Sequence, residues 1–312
     1  MDGNPGQDVI RRWVDNPLIA LEDLPFACSD ILNAAVVPFA GEYIMLVTVE
    51  ALEGQCRIYP ARGRDGKHFT VAEKPLMTSA HAGCFRQHES FGIRDPRITP
   101  MDETYYIAYV ADGDHGLRLG LAKTDDFQSV ERIGFVAQVD TKNGMLFPMK
   151  YNGQYAMLTR PAEGASIWIQ YSDDLRFWSG GEVVMTPRYG FWDANMIGAA
   201  APPIEIDRGW LLIYYGEKHT SAGPLVRLGA AILDKANPAR IISRSNIPIL
   251  SPREPYERIG DVPNVVFSCG AILDEDDMLN VYYGASDSCI CLGQAPLADV
   301  IEVCKDSEQQ EY

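Results

Sequence analysis

The sequence predicts an all-β fold, specifically a five-bladed β-propeller, on three observations. A weak internal repeat recurs five times, with units starting near residues 33, 95, 146, 202 and 264, so at spacings of 62, 51, 56 and 62 residues. Each unit has room for about four short strands, which is the size of one propeller blade. Between Gly, Asp and Asn turns run short segments in which aromatic and aliphatic residues alternate, the pattern of strands rather than helices. A chain of 312 residues that is 46% hydrophobic can bury a sizeable core without splitting into several domains. A β-sandwich with accidental self-similarity is the competing architecture.

The elements follow in order. Ahead of the repeats, Asp8 to Val14 would place Val9, Ile10 and Trp13 on one helical face. It is the one clear helical candidate, too short to be a domain, and would pack on the propeller or on a second subunit. The first unit holds Ala34-Ala35-Val36-Val37, then Glu42 to Val47, Arg57 to Ala61 and the turn Arg64-Asp65-Gly66. The second holds Asp95 to Ile98, Thr104 to Tyr109, Leu119 to Ala122 and a turn at Asp125-Asp126. The third runs through Leu146-Phe147-Pro148, Gln154 to Leu158 and Ile167 to Gln170 to a turn at Asp173-Asp174. The fourth holds Ala201 to Ile204, Gly209 to Tyr215, Leu228 to Ile232 and Asp234. The fifth holds Val265 to Ser268, Met278 to Tyr283, Ile290 to Gly293 and Asp299. The expected division is an N-terminal extension with a short helix over residues 1–32 and the propeller, carrying the site, over residues 33–312.

Composition narrows the function. The formal net charge of -16 argues against nucleic acid and anionic membranes as partners. An anion site in such a chain must gather its positive charge locally. No apolar run is long enough for a transmembrane helix, and the first residues lack the basic and apolar regions of a signal peptide. A cytoplasmic protein is expected. Seven cysteines, scattered and without a C-x-x-C pair, read as buried free thiols of a reducing compartment. Five scattered histidines give no basis for a zinc site, and no metal is expected.

In a propeller the first strand of each blade lines the central channel. The unit starts should therefore converge on one axial pocket: Asn33, Asp95, Lys142 with Asn143, Pro202 with Glu205, and Asn264 with Phe267. Asp95 is the strongest candidate. It sits in Gly92-Ile93-Arg94-Asp95-Pro96-Arg97-Ile98, a carboxylate between two arginines where Pro96 interrupts pairing. Glycoside cleavage needs such a proton donor. The arginines would lower its pKa while a general acid wants it raised, a tension that a bound phosphate dianion would ease. Arg97 would brace the turn or meet a sugar hydroxyl. Lys142, Asn143 and Arg160 form a candidate anion cradle, because guanidinium forks match phosphate oxygens and lysine adds a point charge. Glu205 and Glu217 are candidate bases for activating water. Asp287, after an aromatic strand, suits a sugar, whose faces stack while its hydroxyls meet the carboxylate. His219 reads as a loop histidine. Nucleotide-binding glycine patterns and the Gly-x-Ser-x-Gly elbow are absent.

These motifs, with Ala201-Pro202-Pro203-Ile204-Glu205, Arg227-Leu228-Gly229, Val262-Pro263-Asn264 and Tyr282-Tyr283-Gly284-Ala285-Ser286-Asp287, resemble the β-mannoside phosphorylases of glycoside hydrolase family 130. The resemblance runs from about Asn33 to Val303 and implies a five-bladed propeller. It implies that Asp95 is the general acid, its proton reaching the glycosidic oxygen through a mannose hydroxyl. Inorganic phosphate would attack from the other face and give α-mannose 1-phosphate with inversion. Lys142, Asn143, Arg160 and Tyr215 fall where the family binds phosphate, and Asn33, Phe267 and Asp287 where it holds mannose. Phosphate is then a co-substrate, and no metal or organic cofactor is implied. The implied partner is a β-1,2- or β-1,4-linked manno-oligosaccharide; linkage, acceptor and oligomeric state stay open, a homo-oligomer included.

Three positions depart from the family pattern. Tyr215 stands where many members have His, Val226 where many have Tyr, and Thr48 where many have Arg. The first two would alter the grip on phosphate, and Thr48 would reshape sugar selection. Two rival readings remain. An inverting β-mannosidase would use Glu205 or Glu217 to activate water, and a non-catalytic carbohydrate-binding propeller would bind sugar without turnover.

Overall fold

The computed structural model describes residues 8–305 and is all-β, organised as five consecutive antiparallel meanders. The first comprises β2 (Asp30–Phe39), β3 (Glu42–Glu50), β4 (Cys56–Gly63) and β5 (Thr70–Val71), preceded by a two-residue strand β1 (Arg11–Arg12) that belongs elsewhere. The second comprises β6 (Gly92–Met101), β7 (Thr104–Asp112), β8 (Arg118–Thr124) and β9 (Glu131–Phe135). A single parallel bridge between Cys56 and Gly92 joins these two into one sheet. The third comprises β10 (Thr141–Tyr151), β11 (Gln154–Pro161), β12 (Ile167–Ser172) and β13 (Ser179–Met185). In the fourth, β14 (Met196–Ala199) and β15 (Ile204–Ile206) both pair with β16 (Gly209–Thr220), followed by β17 (Gly223–Leu233) and β18 (Ile241–Arg244). The fifth comprises β19 (Val266–Leu273), β20 (Met278–Ala285) and β21 (Cys289–Pro296), and its outer strand is β1.

The turns explain the tight hairpins. Ala40-Gly41 and Asn152-Gly153 each hold two successive positive φ values, 50° and 79°, then 50° and 84°. That is the two-residue turn whose twist matches paired strands. Aliphatic and aromatic residues then fill the spaces between successive meanders. Ala35, Val37 and Leu46 of the first pack with Ile98, Ile107 and Tyr109 of the second. Leu121 packs with Leu146 and Met157, Leu158 with Leu212 and Tyr214, and Leu228 with Val266 and Tyr283. A fifth cluster brings Tyr282 and Leu292 of the last meander against Val36 and Val47 of the first.

The helix expected over Asp8–Val14 is not formed. Arg11 and Arg12 pair instead with Gln294 and Gly293 of β21, Trp13 N–H donates to Leu292 O at 2.8 Å, and Ile10 is buried. A seven-residue helix is marginal on its own, whereas β21 offers an open edge of backbone donors and acceptors. The helices lie elsewhere: α1 (Pro255–Arg258), a single turn, and α2 (Leu297–Lys305), which the sequence reading missed and which buries Val300 and Cys304.

A polar device recurs in three meanders. A fully buried carboxylate ahead of the first strand receives a tyrosine hydroxyl from the second strand and an arginine from the outermost. Glu89 is bonded by Tyr109 Oη at 2.8 Å and by Arg132 at 2.8 and 3.0 Å. Asp193 is bonded by Tyr214 Oη at 2.9 Å and Arg244 at 2.7 Å. Glu257 is bonded by Tyr283 Oη at 2.8 Å and by Arg12 at 2.7 and 2.8 Å. Arg12 on β1 thus does in the fifth meander what Arg132 and Arg244 do in the second and fourth.

Candidate active site

The first strands of four meanders carry a β-bulge at the same end. Register slips between Ile31 and Ala34, between Arg94 and Arg97, between Lys142 and Met145, and between Ser268 and Gly270. A bulge frees one residue from the ladder and re-aims its side chain. Asn33, Asp95 and Asn143 occupy three of these bulges, and Asp95 and Asn143 sit at φ 55° and 54°. Asp and Asn tolerate that left-handed conformation better than other non-glycine residues. The freed side chains face one cavity of about 490 Å3. Eight of the residues singled out from the sequence as acid, phosphate or sugar contacts line it: Asn33, Asp95, Lys142, Asn143, Arg160, Tyr215, Phe267 and Asp287.

Asp95 is 7% exposed. Asn33 Nδ2 donates to its Oδ1 at 2.8 Å, and its own N–H donates to Thr48 Oγ1 at 3.1 Å. Neither neighbouring arginine pairs with its carboxylate. Arg94 turns to Asp112 at 2.7 Å. Arg97, 1% exposed, donates to the carbonyls of Asp95 and Ala200, both at 3.0 Å, and so braces the bulge from below. Its guanidinium also lies 5.7 Å from the Phe267 ring centroid, which holds that ring at the cavity wall. Thr48 is fully buried beneath Asp95 and does not line the cavity, so its part is to hold the Asp95 backbone rather than to select sugars.

The cations stand on the next meander. Lys142 and Arg160 are cross-strand partners on β10 and β11. Lys142 makes no hydrogen bond or ion pair among the described residues. Burial lowers its pKa, with the charges of Arg94 and Arg160 adding to the effect and Asp95 opposing it. Arg160 Nε donates to Asn143 Oδ1 at 3.0 Å, and Tyr215 Oη donates to the same oxygen at 3.0 Å. With Oδ1 taking both bonds, the Asn143 NH2 group is left to face the cavity. Tyr215 packs at 4.8 Å from Phe267, and burial raises its pKa.

Asp287, at φ 51°, has no bonding partner for its carboxylate among the described residues. Burial, then the charges of Asp95 and Asp261, push its pKa up to about 7 against the opposing Arg94.

Some expected residues lie elsewhere. Glu205 is an exposed residue paired with Lys235 at 2.6 Å, and neither it nor Pro202 reaches the cavity. The cause is local: Ala200 to Pro203, ending in two prolines, breaks the inner strand of the fourth meander into β14 and β15, and it is β14 that meets the cavity. Met196, Tyr215, Glu217 and Val226 are that meander's contribution. Asn264 does not line the cavity either; its carbonyl accepts the Val226 N–H at 3.1 Å. Glu217 is in the wall and bonded to His219 Nε2 at 2.6 Å. Glu50 and Cys56 also line the cavity; nothing in their sequence context marked them. No group of three His, Cys, Asp or Glu residues comes together as metal ligands among the described residues.

Comparison with known proteins places this arrangement. A family model described as β-1,4-mannooligosaccharide phosphorylase matches residues 22–306. The 1,2-β-oligomannan phosphorylase of Thermoanaerobacter sp. (strain X514) is 36% identical over 247 residues, covering 78% of this chain and 80% of that protein. The β-1,4-mannooligosaccharide phosphorylase of Ruminococcus albus is 30% identical over 309 residues, covering 96% and 92%. Among solved structures, the β-1,2-mannobiose phosphorylase of Listeria innocua in complex with β-1,2-mannobiose superposes with a TM-score of 0.86 at 28% identity, covering 96% of this chain and 99% of that one.

Proposed function

The chain belongs to the glycoside hydrolase family 130 of mannoside phosphorylases, and from that premise we propose that it is an inverting phosphorylase of β-1,2- or β-1,4-linked manno-oligosaccharides. One observation carries the reading. A single cavity of an acidic chain brings a carboxyl group from the second meander against three groups from the third: a lysine with no ion pair among the described residues, an arginine and an oriented amide.

In this reading the mannose of the cleaved bond lies against Phe267, with Asn33 and Asp287 on its hydroxyls. Asn33 holds Oδ1 of Asp95, which leaves Oδ2 to deliver the proton, directly or through a mannose hydroxyl, to the leaving oxygen. Lys142, the Arg160 guanidinium and the Asn143 NH2 group hold phosphate on the opposite side. A phosphate oxygen forms the bond to the anomeric carbon as the glycosidic C–O bond breaks. The leaving sugar keeps the proton, and α-mannose 1-phosphate results. Tyr215 serves the phosphate through Asn143 rather than by touching it. Phosphate is a co-substrate, and no metal or organic cofactor enters the scheme.

The architecture we assign is a closed five-bladed propeller whose fifth blade takes its outer strand, β1, from the N-terminal segment; of the expected ranges 1–32 and 33–312, residues 1–7 and 306–312 lie outside the described residues. Its support is that each meander packs on the next and the fifth packs on the first. None of the seven cysteines is joined in a disulfide, which supports a reducing, cytoplasmic setting.

The test is incubation with β-1,2- and β-1,4-mannobiose, with and without phosphate. Phosphate-dependent mannose 1-phosphate from one of them is the expected result and names the linkage. Free mannose at an equal rate without phosphate would overturn phosphorolysis and point to Glu217 as the base.

A further inference from the structure

Arg227, a partly buried cation outside the cavity, has no counterpart among the described residues. Arg227 lies on β17 in the Arg227-Leu228-Gly229 motif, which the mechanism above does not use. Successive side chains on a strand point to opposite faces. Val226 therefore lines the catalytic cavity, while Leu225 and Arg227 line a second cleft of about 380 Å3 across the strand. Pro248, Ser251, Pro252 and Arg253 form its other wall.

The charges in this region do not balance. Arg12 is bound by Glu257 at 2.7 Å. Arg253 Nε donates to Asp8 at 2.9 Å, and Asp8 is shared with Arg12 at 3.0 Å. Arg227, only partly exposed, has no hydrogen bond or ion pair among the described residues. Three arginines thus face two carboxylates, in a chain whose net charge is -16. Burial and then the neighbouring Arg253 lower the pKa of Arg227, and the Asp8 carboxylate only partly opposes them. A guanidinium held out of water beside another guanidinium is a standing cost that an anion between them would remove. The two forks match phosphate oxygens, the Ser251 hydroxyl offers a further donor, and the flanking prolines fix the wall in advance.

We propose that the cleft between Arg227 and Arg253 is a second anion site that takes a phosphate group, either as inorganic phosphate or as a sugar 1-phosphate. It is separate from the site at Lys142 and Arg160 and does not depend on the reaction assigned there.

The experiment is equilibrium dialysis of the full chain against labelled inorganic phosphate. Two phosphates per chain are expected, with one lost in Arg227→Gln. Arg227→Lys, which keeps the charge without the fork, should retain the second phosphate at weaker affinity, and thermal unfolding of each variant verifies folding. A folded Arg227→Gln that binds as many phosphates as the unaltered protein would overturn the proposal, whether that number is one or two. Lys142→Ala separates the two readings. If it leaves both phosphates bound while Arg227→Gln removes one, the second site stands and the catalytic assignment of Lys142 fails. Displacement by unlabelled α-mannose 1-phosphate at lower concentration than unlabelled phosphate assigns the site to the ester; the reverse order assigns it to the free ion.

Discussion

Tyr215→Phe should raise the KM for phosphate about fivefold and leave kcat nearly unchanged. The substitution removes one hydroxyl and keeps the ring against Phe267, 4.8 Å between centroids. What it takes away is the 3.0 Å bond to Asn143 Oδ1. That oxygen is not orphaned, because Arg160 Nε still donates to it at 3.0 Å. The loss is therefore one hydrogen bond without an unsatisfied buried acceptor, about 1 kcal/mol. At about 1.4 kcal/mol per tenfold, that is roughly a factor of five in binding. The amide steadies phosphate equally before and during bond making, so the loss falls on KM. The assay is initial-rate phosphorolysis of the preferred mannobiose, saturating in sugar, across a phosphate series. An unchanged phosphate KM would refute the positioning role. A kcat reduced a hundredfold at constant KM would refute it differently, by placing the hydroxyl on the reacting atoms.

Further outcomes follow from the same geometry. Asp95→Asn keeps an acceptor for Asn33 but loses the proton, so kcat should fall by about 10²–10⁴ while mannobiose still binds in calorimetry; a fall of less than tenfold would remove Asp95 as the acid. Asp287 has a folded pKa raised to about 7, so the native state holds its proton more firmly than the unfolded chain, and stability declines as pH rises between the unfolded value and about 7. Asp287→Asn should therefore raise Tm at pH 8, leave it unchanged near pH 4, and weaken mannoside binding; equal Tm values at pH 8 would contradict the burial argument. Arg12→Ala strips the fully buried Glu257 of its charged partner, a loss of about 3–5 kcal/mol that should lower Tm by roughly 5–15 °C in differential scanning calorimetry. A drop under about 2 °C would mean that β1 is not needed to complete the fifth meander.

The candidate site residues were legible in the sequence because they are written locally. Asp95 and Asn143 occupy bulges, and the chain marks those bulges with Pro96 and Gly144, residues that interrupt regular pairing. The five-fold repeat then implied that they meet. What escaped the reading is written across the chain. The partners of Glu257 are 245 and 26 residues away, those of Glu89 43 and 20 away, and no periodicity announces an arginine waiting on an outer strand. The fourth unit was placed too late for a similar reason. Pro202-Pro203 looked like the start of a strand, yet the half that meets the cavity, Met196–Ala199, precedes it and pairs with Tyr214 to Glu217 only in three dimensions.

The N-terminal segment shows why local pattern misled there. Val9, Ile10 and Trp13 do lie at helical spacing, but the choice between helix and strand was settled by what the rest of the fold lacked. The fifth meander supplies a tyrosine and a buried acid of the same kind as those in the second and fourth, and it ends one strand short. A buried carboxylate without a cation would be strongly destabilising. Arg12 meets that need only if Arg11–Arg12 is extended along β21, where it reaches Glu257 and the Ser251 carbonyl together. The same requirement joins stability to function. Glu257 also receives the backbone N–H groups of Arg253 and Glu254, and its carbonyl accepts from Val265 N–H at 3.1 Å, a residue in the wall of the candidate active-site cavity. Loosening β1 should therefore disturb the loop between Arg253 and Val265 before it disturbs the strands that carry Asp95 and Lys142. In hydrogen exchange, Arg12→Ala should raise the rate in that loop first. Uniform acceleration across all five meanders would argue that the fold opens as one unit and that the latch has no local reach.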